Sequence, residues 1–499
     1  MPPRQHNLTE GPIGRNLLAF ALPILAGNVA QSLNGSVNAV WVGRFLGEEA
    51  LTATANANNI MFFLIGSVFG FGMAATILIA QAIGARDITQ ARRVMGTSAT
   101  FFVGLSVVIA ALGFWLSRYL LAAMGTPVAS LQFAEDYLQV IFLAMPILYT
   151  FAFISAALRG AGDSRTPFRF LLVSVLLDIA FNPLLIFGLG PFPKLGIAGS
   201  AWSTLLAQGL TLVALLLYLR HRKHPLWLGR HDAHMFKIDL TILRALVVKG
   251  VPMGLQMVLI SLAMIAMITM VNHYGTDTTA AYGAALQLWT YVQMPAMAIG
   301  AACSSMAAQN VGANRWDRVS ATAKAGVLFN FLLTGAIIAP LILLDRWTLA
   351  LFLPEGSGAL EIARHLNHIS VWSFLFFGVT FVVSGVVRST GAVIPPLLIL
   401  ALALWGIRVP FANLLQPTMG EDAIWWSFPV SAFCSMLMAL SYYRWGNWRK
   451  ARMLAPDPHE VAVPAEVPAT PPSPVADPSA ETDEDVATGL VLAEDAKKS

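Results

Sequence analysis

The chain says the same thing twice. The run Arg159-Gly160-Ala161-Gly162-Asp163-Ser164-Arg165-Thr166-Pro167 returns as Arg388-Ser389-Thr390-Gly391-Ala392-Val393-Ile394-Pro395-Pro396, with Arg, Gly and the last Pro in register 229 residues apart. Ala80-Gln81-Ala82-Ile83-Gly84-Ala85 returns as Ala308-Gln309-Asn310-Val311-Gly312-Ala313 at a separation of 228, and Leu22-Pro23 as Val251-Pro252 at 229. Both halves are strongly apolar. A duplicated apolar half restricts the fold to two similar bundles packed on each other, and in membrane proteins of this kind the handled species binds between the repeats.

Of the 499 residues, 57% are hydrophobic and only 12% charged, with a mean hydropathy of +0.66. A soluble chain carries roughly twice that charge fraction. The apolar residues gather into about twelve stretches, each long enough to cross a hydrocarbon layer of about 30 Å. No water reaches that depth, so each stretch must satisfy its own backbone and is predicted to be helical. The helices are expected near 16–43, 52–80, 94–117, 132–157, 168–190 and 197–219, then near 243–273, 281–310, 320–344, 362–387, 393–416 and 422–444. The predicted fold class is therefore an all-α membrane protein. Its twelve transmembrane helices form two six-helix lobes, 16–219 and 243–446, related by an axis along the membrane normal. Both halves start on the same side, so the repeats are parallel rather than inverted.

Lys and Arg set the orientation. Arg86, Arg92, Arg93, Arg159, Arg165, Arg169, Arg220, Arg222, Lys223, Arg315, Arg318, Lys324, Arg388, Arg444, Arg449 and Lys450 fall in the even-numbered loops and the termini. The odd-numbered loops hold few (Arg44, Arg118, Lys194 and Arg346) and carry acids instead. The bias predicts cytoplasmic termini in a plasma (inner) membrane. The net charge of +4 then reflects topology, and no nucleic-acid module is seen. Residues 1–15 are polar, with no cleavable signal expected. Cys303 and Cys434 fall inside predicted helices and read as ordinary buried thiols. The link 220–242 carries His221, His224, His231 and His234, whose irregular spacing favours a solvated basic loop over a metal site. The segment 447–499 is Pro-rich and acidic and reads as a disordered cytoplasmic tail.

Charges at membrane depth are rare and functional by default. Asp178 is one. Ser174, Asp178 and Asn182 share one helix face, with Pro183 directly after them. Gln31, Asn34 and Asn38 form a polar stripe on the first helix, and Thr204 can join the cluster from the sixth. A carboxylate among amide and hydroxyl oxygens can hold Na⁺ or take a proton. The bland alternative is polar glue between helices, which suits the asparagines better than the acid. Arg408 lies within one residue of the equivalent place in the second half, either as an ion or substrate contact or as a snorkelling side chain. The seventh and eighth helices are rich in Met, with Gln256, Tyr282, Gln287 and Tyr291 nearby, a surface suited to lipophilic or cationic ligands if it is not simply packed. Pro23 and Pro252 interrupt the first helix of each half as candidate hinges.

From about 10 to 450, these residues resemble the multidrug and toxic compound extrusion (MATE) family of the polysaccharide-flippase superfamily. The resemblance is carried by Leu22-Pro23 with Val29-Ala30-Gln31, by Val42-Gly43-Arg44-Phe45-Leu46-Gly47 with Ala50-Leu51, and by Ala80-Gln81 with Gly84-Ala85. Leu158 through Pro167, Asn182 through Gly188 and Leu195 through Ala201 complete it. It implies two lobes in a V that export drugs in exchange for H⁺ or Na⁺. It also implies a cation site at Asn38, Asp178, Asn182 and Thr204, with no cofactor. The first-helix position is often Asp in the family and is Asn38 here. The fifth-helix pair, often Asn then Asp, reads Asp178 then Asn182. One carboxylate remains where two are common, which favours H⁺ over Na⁺.

The expected partners are small organic substrates and membrane lipids, with the protein a monomer. Two rivals are a lipid-linked oligosaccharide flippase, which would line its cavity with several basic residues, and a membrane-embedded enzyme. No His-Glu-x-x-His or paired aspartates point to the enzyme.

Overall fold

The computed structural model describes residues 8–454, apart from 124, 127 and 355. The six helices expected in the first half appear as six rods: α1 (Ile13–Leu46), α2 (Glu48–Gly84), α3 (Ile88–Ala123), α4 (Val128–Gly160), α5 (Arg165–Phe187) and α6 (Ile197–His221). The second half begins with α7 (Leu240–Asn272), α8 (Thr276–Gly312) and α9 (Trp316–Leu343), followed by a short α10 (Asp345–Ala350). The tail from 455 onward lies outside the described residues.

Two expected single helices depart from a regular rod, one by a bend and one by a widened turn. The stretch near 362–387 is α11 (Gly358–Ser370) and α12 (Ser373–Arg388), bent by 43°. The stretch near 393–416 is α13 (Ile394–Ala401), a π-helical segment Leu402–Arg408, and α14 (Val409–Met419). Pro410 stands two residues past the end of that segment. A proline ring crowds the carbonyl four residues before it, and a widened turn relieves the crowding. The last rod is α15 (Asp422–Trp445). Counting each of these stretches once and setting the six-residue α10 aside gives twelve rods among the described residues, six per half.

Among the described residues, nine helices are apolar and long enough to span a membrane, or ten with the bent pair. The two remaining long rods are α2 and α8. In α8, Ser304, Ser305, Gln309 and Asn310 are all buried. Protein rather than lipid covers that helix, so it can be more polar.

The repeated motifs explain themselves in three dimensions. Gly162 after α4 and Gly391 after α12 have φ of 90° and 103°, a backbone that glycine takes without strain. Prolines then open the next helices, Pro167 in the first turn of α5 and Pro395 in that of α13. The other motif ties the halves together. Gln81 Nε2 donates to the Ser389 carbonyl at 2.6 Å, and Gln309 Nε2 donates to the Gly160 carbonyl at 2.9 Å. Each half thus satisfies a carbonyl near a helix end in the other. Between them α2 and α8 cross so closely that a Cβ on Gly84 would overlap the Gln309 carbonyl, and one on Gly312 the Gln81 carbonyl.

The link between halves is not a free loop. Its turn Arg230–Phe236 lies on α3, where Arg92 donates to the Trp227 carbonyl and pairs with Asp232 at 2.6 Å, and Thr100 donates to the Phe236 carbonyl.

Candidate functional site

Helix α5 presents Asp178 to α1 and α6, and the carboxyl is only 3% exposed. Five side chains donate to it. From α1, Asn34 and Asn38 reach Oδ2 at 2.8 and 3.0 Å. From α6, Ser203 and Thr204 reach Oδ1 at 2.7 and 3.3 Å. Asn182, one turn along α5, reaches Oδ1 at 3.4 Å and also donates to Asn38 Oδ1 at 2.8 Å. All five donors are neutral, and no ion pair involves Asp178 among the described residues. Burial of a carboxylate is tolerable only with such bonding. Two buried amide oxygens beside it, Asn34 Oδ1 and Asn182 Oδ1, have no hydrogen-bond partner. A carboxylate with spare amide oxygens next to it is a donor set that a proton carrier or a small oxygen-preferring cation fits.

One turn before Asn34, α1 lines a second feature. A cavity of about 400 Å³ lies mainly in the first half, bounded by Pro23, Asn28 and Gln31 of α1, Phe153 and Arg159 of α4, and Phe168 of α5. Met297, Ser304 and Ser305 of α8 and Phe381 of α12 close it from the second half. No acidic side chain lines it among the described residues.

The structure brings Asn38, Asp178, Asn182 and Thr204 together. It moves Asn34 from the cavity expectation into that cluster and leaves Gln31 on the cavity wall. The remaining cavity candidates lie elsewhere. Gln256 accepts from Arg388 Nη1 at 2.9 Å. Tyr282 is buried against Trp289, Trp425 and Phe428. Gln287 is exposed and Tyr291 half-buried, and neither lines the cavity. Arg408 donates to Ser431 at 2.9 Å and lies 4.5 Å over the Phe428 ring. Aromatic packing holds Tyr282 and Arg408 inward, which residue type alone does not reveal. Of the methionines, Met253, Met267 and Met306 are core, while Met297 reaches the cavity. Pro23 lines the cavity and Pro252 does not. Sequence reasoning missed Ser203, one serine among many in apolar helices, and assigned Arg159 to loop charge alone. Its only signal was its position in the repeated motif.

A family model, MatE, matches residues 23–184 and again 252–414, one copy per half. The chain belongs to the MatE family. It is 38% identical to the "Probable multidrug resistance protein YoeA" of Bacillus subtilis, over 88% of this chain and 95% of that one. The "Probable multidrug resistance protein YpnP" of the same organism is 32% identical, over 90% and 99%. Among solved structures, a MOP superfamily transporter from Pyrococcus furiosus superposes with a TM-score of 0.82 at 20% identity, covering 89% of this chain and 98% of that one. The MATE fold of twelve helices in two six-helix lobes is thus shared across low identity, and the chain is a multi-pass membrane protein of a transporter family.

Proposed function

We propose that this MATE protein exports lipophilic organic compounds in exchange for protons. It does so as a monomer in the plasma (inner) membrane, with both termini cytoplasmic and membrane lipids around it. The observation that carries the reading is the Asp178 cluster, buried and five-fold bonded, sharing α1 with the cavity. When Asp178 is ionised, Asn34 and Asn38 both donate to it and hold α1 against α5. Protonation replaces charge-assisted bonds with weaker neutral ones, and one donor must turn away. Helix α1 is then free to shift about Pro23, which changes the wall that Asn28 and Gln31 give the cavity. Cargo affinity and proton occupancy are coupled through that one helix.

The resemblance also offers cationic cargo, but the acid-free wall supports the lipophilic side of that expectation. Na⁺ coupling stays in competition because Asn34 Oδ1 and Asn182 Oδ1 could serve as ligands. Counterflow in proteoliposomes tests the reading, run once with a pH gradient and once with a Na⁺ gradient. Proton coupling predicts export driven by the first alone and lost in Asp178→Asn. Full gradient-driven transport by that variant would remove Asp178 from the mechanism.

A further inference from the structure

Arg159 and Arg388 are the same residue of the repeated motif, each in the last turn of its helix. A cation there suits the helix dipole, and both share that role. Their surroundings differ. Arg388 is fully buried, bonded to Gln256 and set 5.4 Å over the Phe381 ring. Arg159 lines the central cavity, and its guanidinium has no hydrogen bond or ion pair with any described residue. A guanidinium carries five donors and stays charged. Holding one against an acid-free apolar wall without a partner is unfavourable unless something else supplies the acceptor.

A second chamber lies beyond it. A pocket of about 480 Å³ is lined by Arg165, Arg169, Arg222 and Lys223, and Ser164 borders both spaces. None of the four cations has an ion pair among the described residues. The one acid in that wall, Asp163, is already engaged. Its carboxylate accepts from the Arg165 and Thr166 backbone N–H groups at 3.0 and 2.9 Å and from the Thr166 hydroxyl at 2.5 Å. A basic antechamber thus adjoins a cavity whose one charged wall residue is an unpartnered arginine.

We propose that Arg159 is an anion subsite, and that the cargo class includes organic anions with an apolar body. A carboxylate, sulfonate or phosphate binds the guanidinium while rings or chains lie against Phe153, Phe168 and Phe381. This deepens the export reading above and rests on it. The antechamber gathers such anions by charge, an effect that salt screens.

The test uses the full chain in two formats. Equilibrium binding of the aryl sulfonate dye 8-anilinonaphthalene-1-sulfonate is measured on protein in neutral-lipid nanodiscs, with free nanodiscs as the blank. Gradient-driven export of the same dye and of ethidium is measured in proteoliposomes. Arg159→Gln is expected to weaken sulfonate binding about tenfold, the worth of one bond to a charged group. Arg159→Lys should restore part of it, and ethidium, a cation that cannot pair with a guanidinium, should lose less in export than the sulfonate does. Adding phosphatidylglycerol to the nanodiscs distinguishes sources: competition marks a lipid phosphate as a natural occupant, and its absence marks a soluble anion. Unchanged sulfonate binding in Arg159→Gln overturns the proposal, as does an equal loss for sulfonate and ethidium, which a structural or gating role would give. If no dye is exported but binding still depends on Arg159, the export reading fails and the subsite stands.

Discussion

Asp178 in the first half and Arg408 in the second stand 230 residues apart, one residue off the repeat offset. Around Asp178, α1 supplies Asn34 and Asn38. At the same offset α7 supplies Ala263 and Met267, both buried. The acid is met by amides and hydroxyls. The arginine is met by one hydroxyl and the face of Phe428. A carboxylate held by neutral donors can change its charge, whereas a guanidinium keeps its own at any physiological pH. On the proposed reading the duplicated backbone gives one half a switch and the other a fixed wall, and the cavity lies mainly on the side of Asp178. The same divergence separates the motif arginines, one sealed by its own half and one left facing the cavity.

The sharpest way to break this contrast is to neutralise each charge. Asp178→Asn is expected to abolish gradient-driven export with the protein still folded by circular dichroism. Arg408→Gln should keep coupled export and lose about 1–2 kcal/mol of stability with its aromatic contact. Equal loss of coupling in both would end the division of labour.

The next largest effect should fall on both halves alike. Gly84→Ala and Gly312→Ala each force a methyl into a backbone carbonyl across the α2–α8 crossing, costing about 3 kcal/mol of stability. Matching drops in melting temperature in detergent are expected. A drop in only one variant would show that the interlock is not shared equally.

A smaller effect sharpens the α1–α7 comparison. Asn38→Ala removes one charge-assisted bond, about 1.5 kcal/mol, so export should slow about tenfold. Met267→Ala, at the matching place, should lower stability and leave the ion dependence of export unchanged.

The smallest lies outside both sites. Arg364 and His368 donate to Asp345 at 2.9 Å each, where the first half has exposed Leu116 at the repeat offset. Burial works against the ionised carboxyl, but bonds from Arg364, His368 and the Arg346 backbone outweigh it and hold it below the ordinary carboxylate range. A lowered carboxyl adds stability above its unfolded value, and that stability is lost as pH falls through the folded one. Asp345→Asn should thus melt earlier at neutral pH, by about 1–2 kcal/mol, and the gap should close in acid. A gap independent of pH would assign the loss to packing.

Much of this was legible in advance. Asp178 announced itself as a lone acid in an apolar run, and the spacing of Asn34 and Asn38 put them on one stripe. The repeat foretold two halves and the MATE likeness. Ser203 was invisible, because a hydroxyl in a membrane helix usually bonds its own backbone. Residue type left Tyr282 and Arg408 open, because an aromatic or basic side chain serves a core as readily as a cavity. The π turn before α14 escaped as well, since proline is common in membrane helices that continue unbroken, and the bend before α12 has no proline to mark it.

The chain by itself determined that there are apolar helices, that they come in two related sets, and which residues repeat. Hydrophobic length and the absence of water at depth suffice for that. Only the tertiary structure decided how each helix is turned about its own axis. Lipid accepts almost any apolar face, so helix rotation is set by close packing, as at Gly84 against Gln309, and not by a hydrophobic stripe. That rotation aims Asn34, Asn38, Ser203 and Thr204 at one carboxylate, and leaves Arg159 open to the cavity while its twin is enclosed.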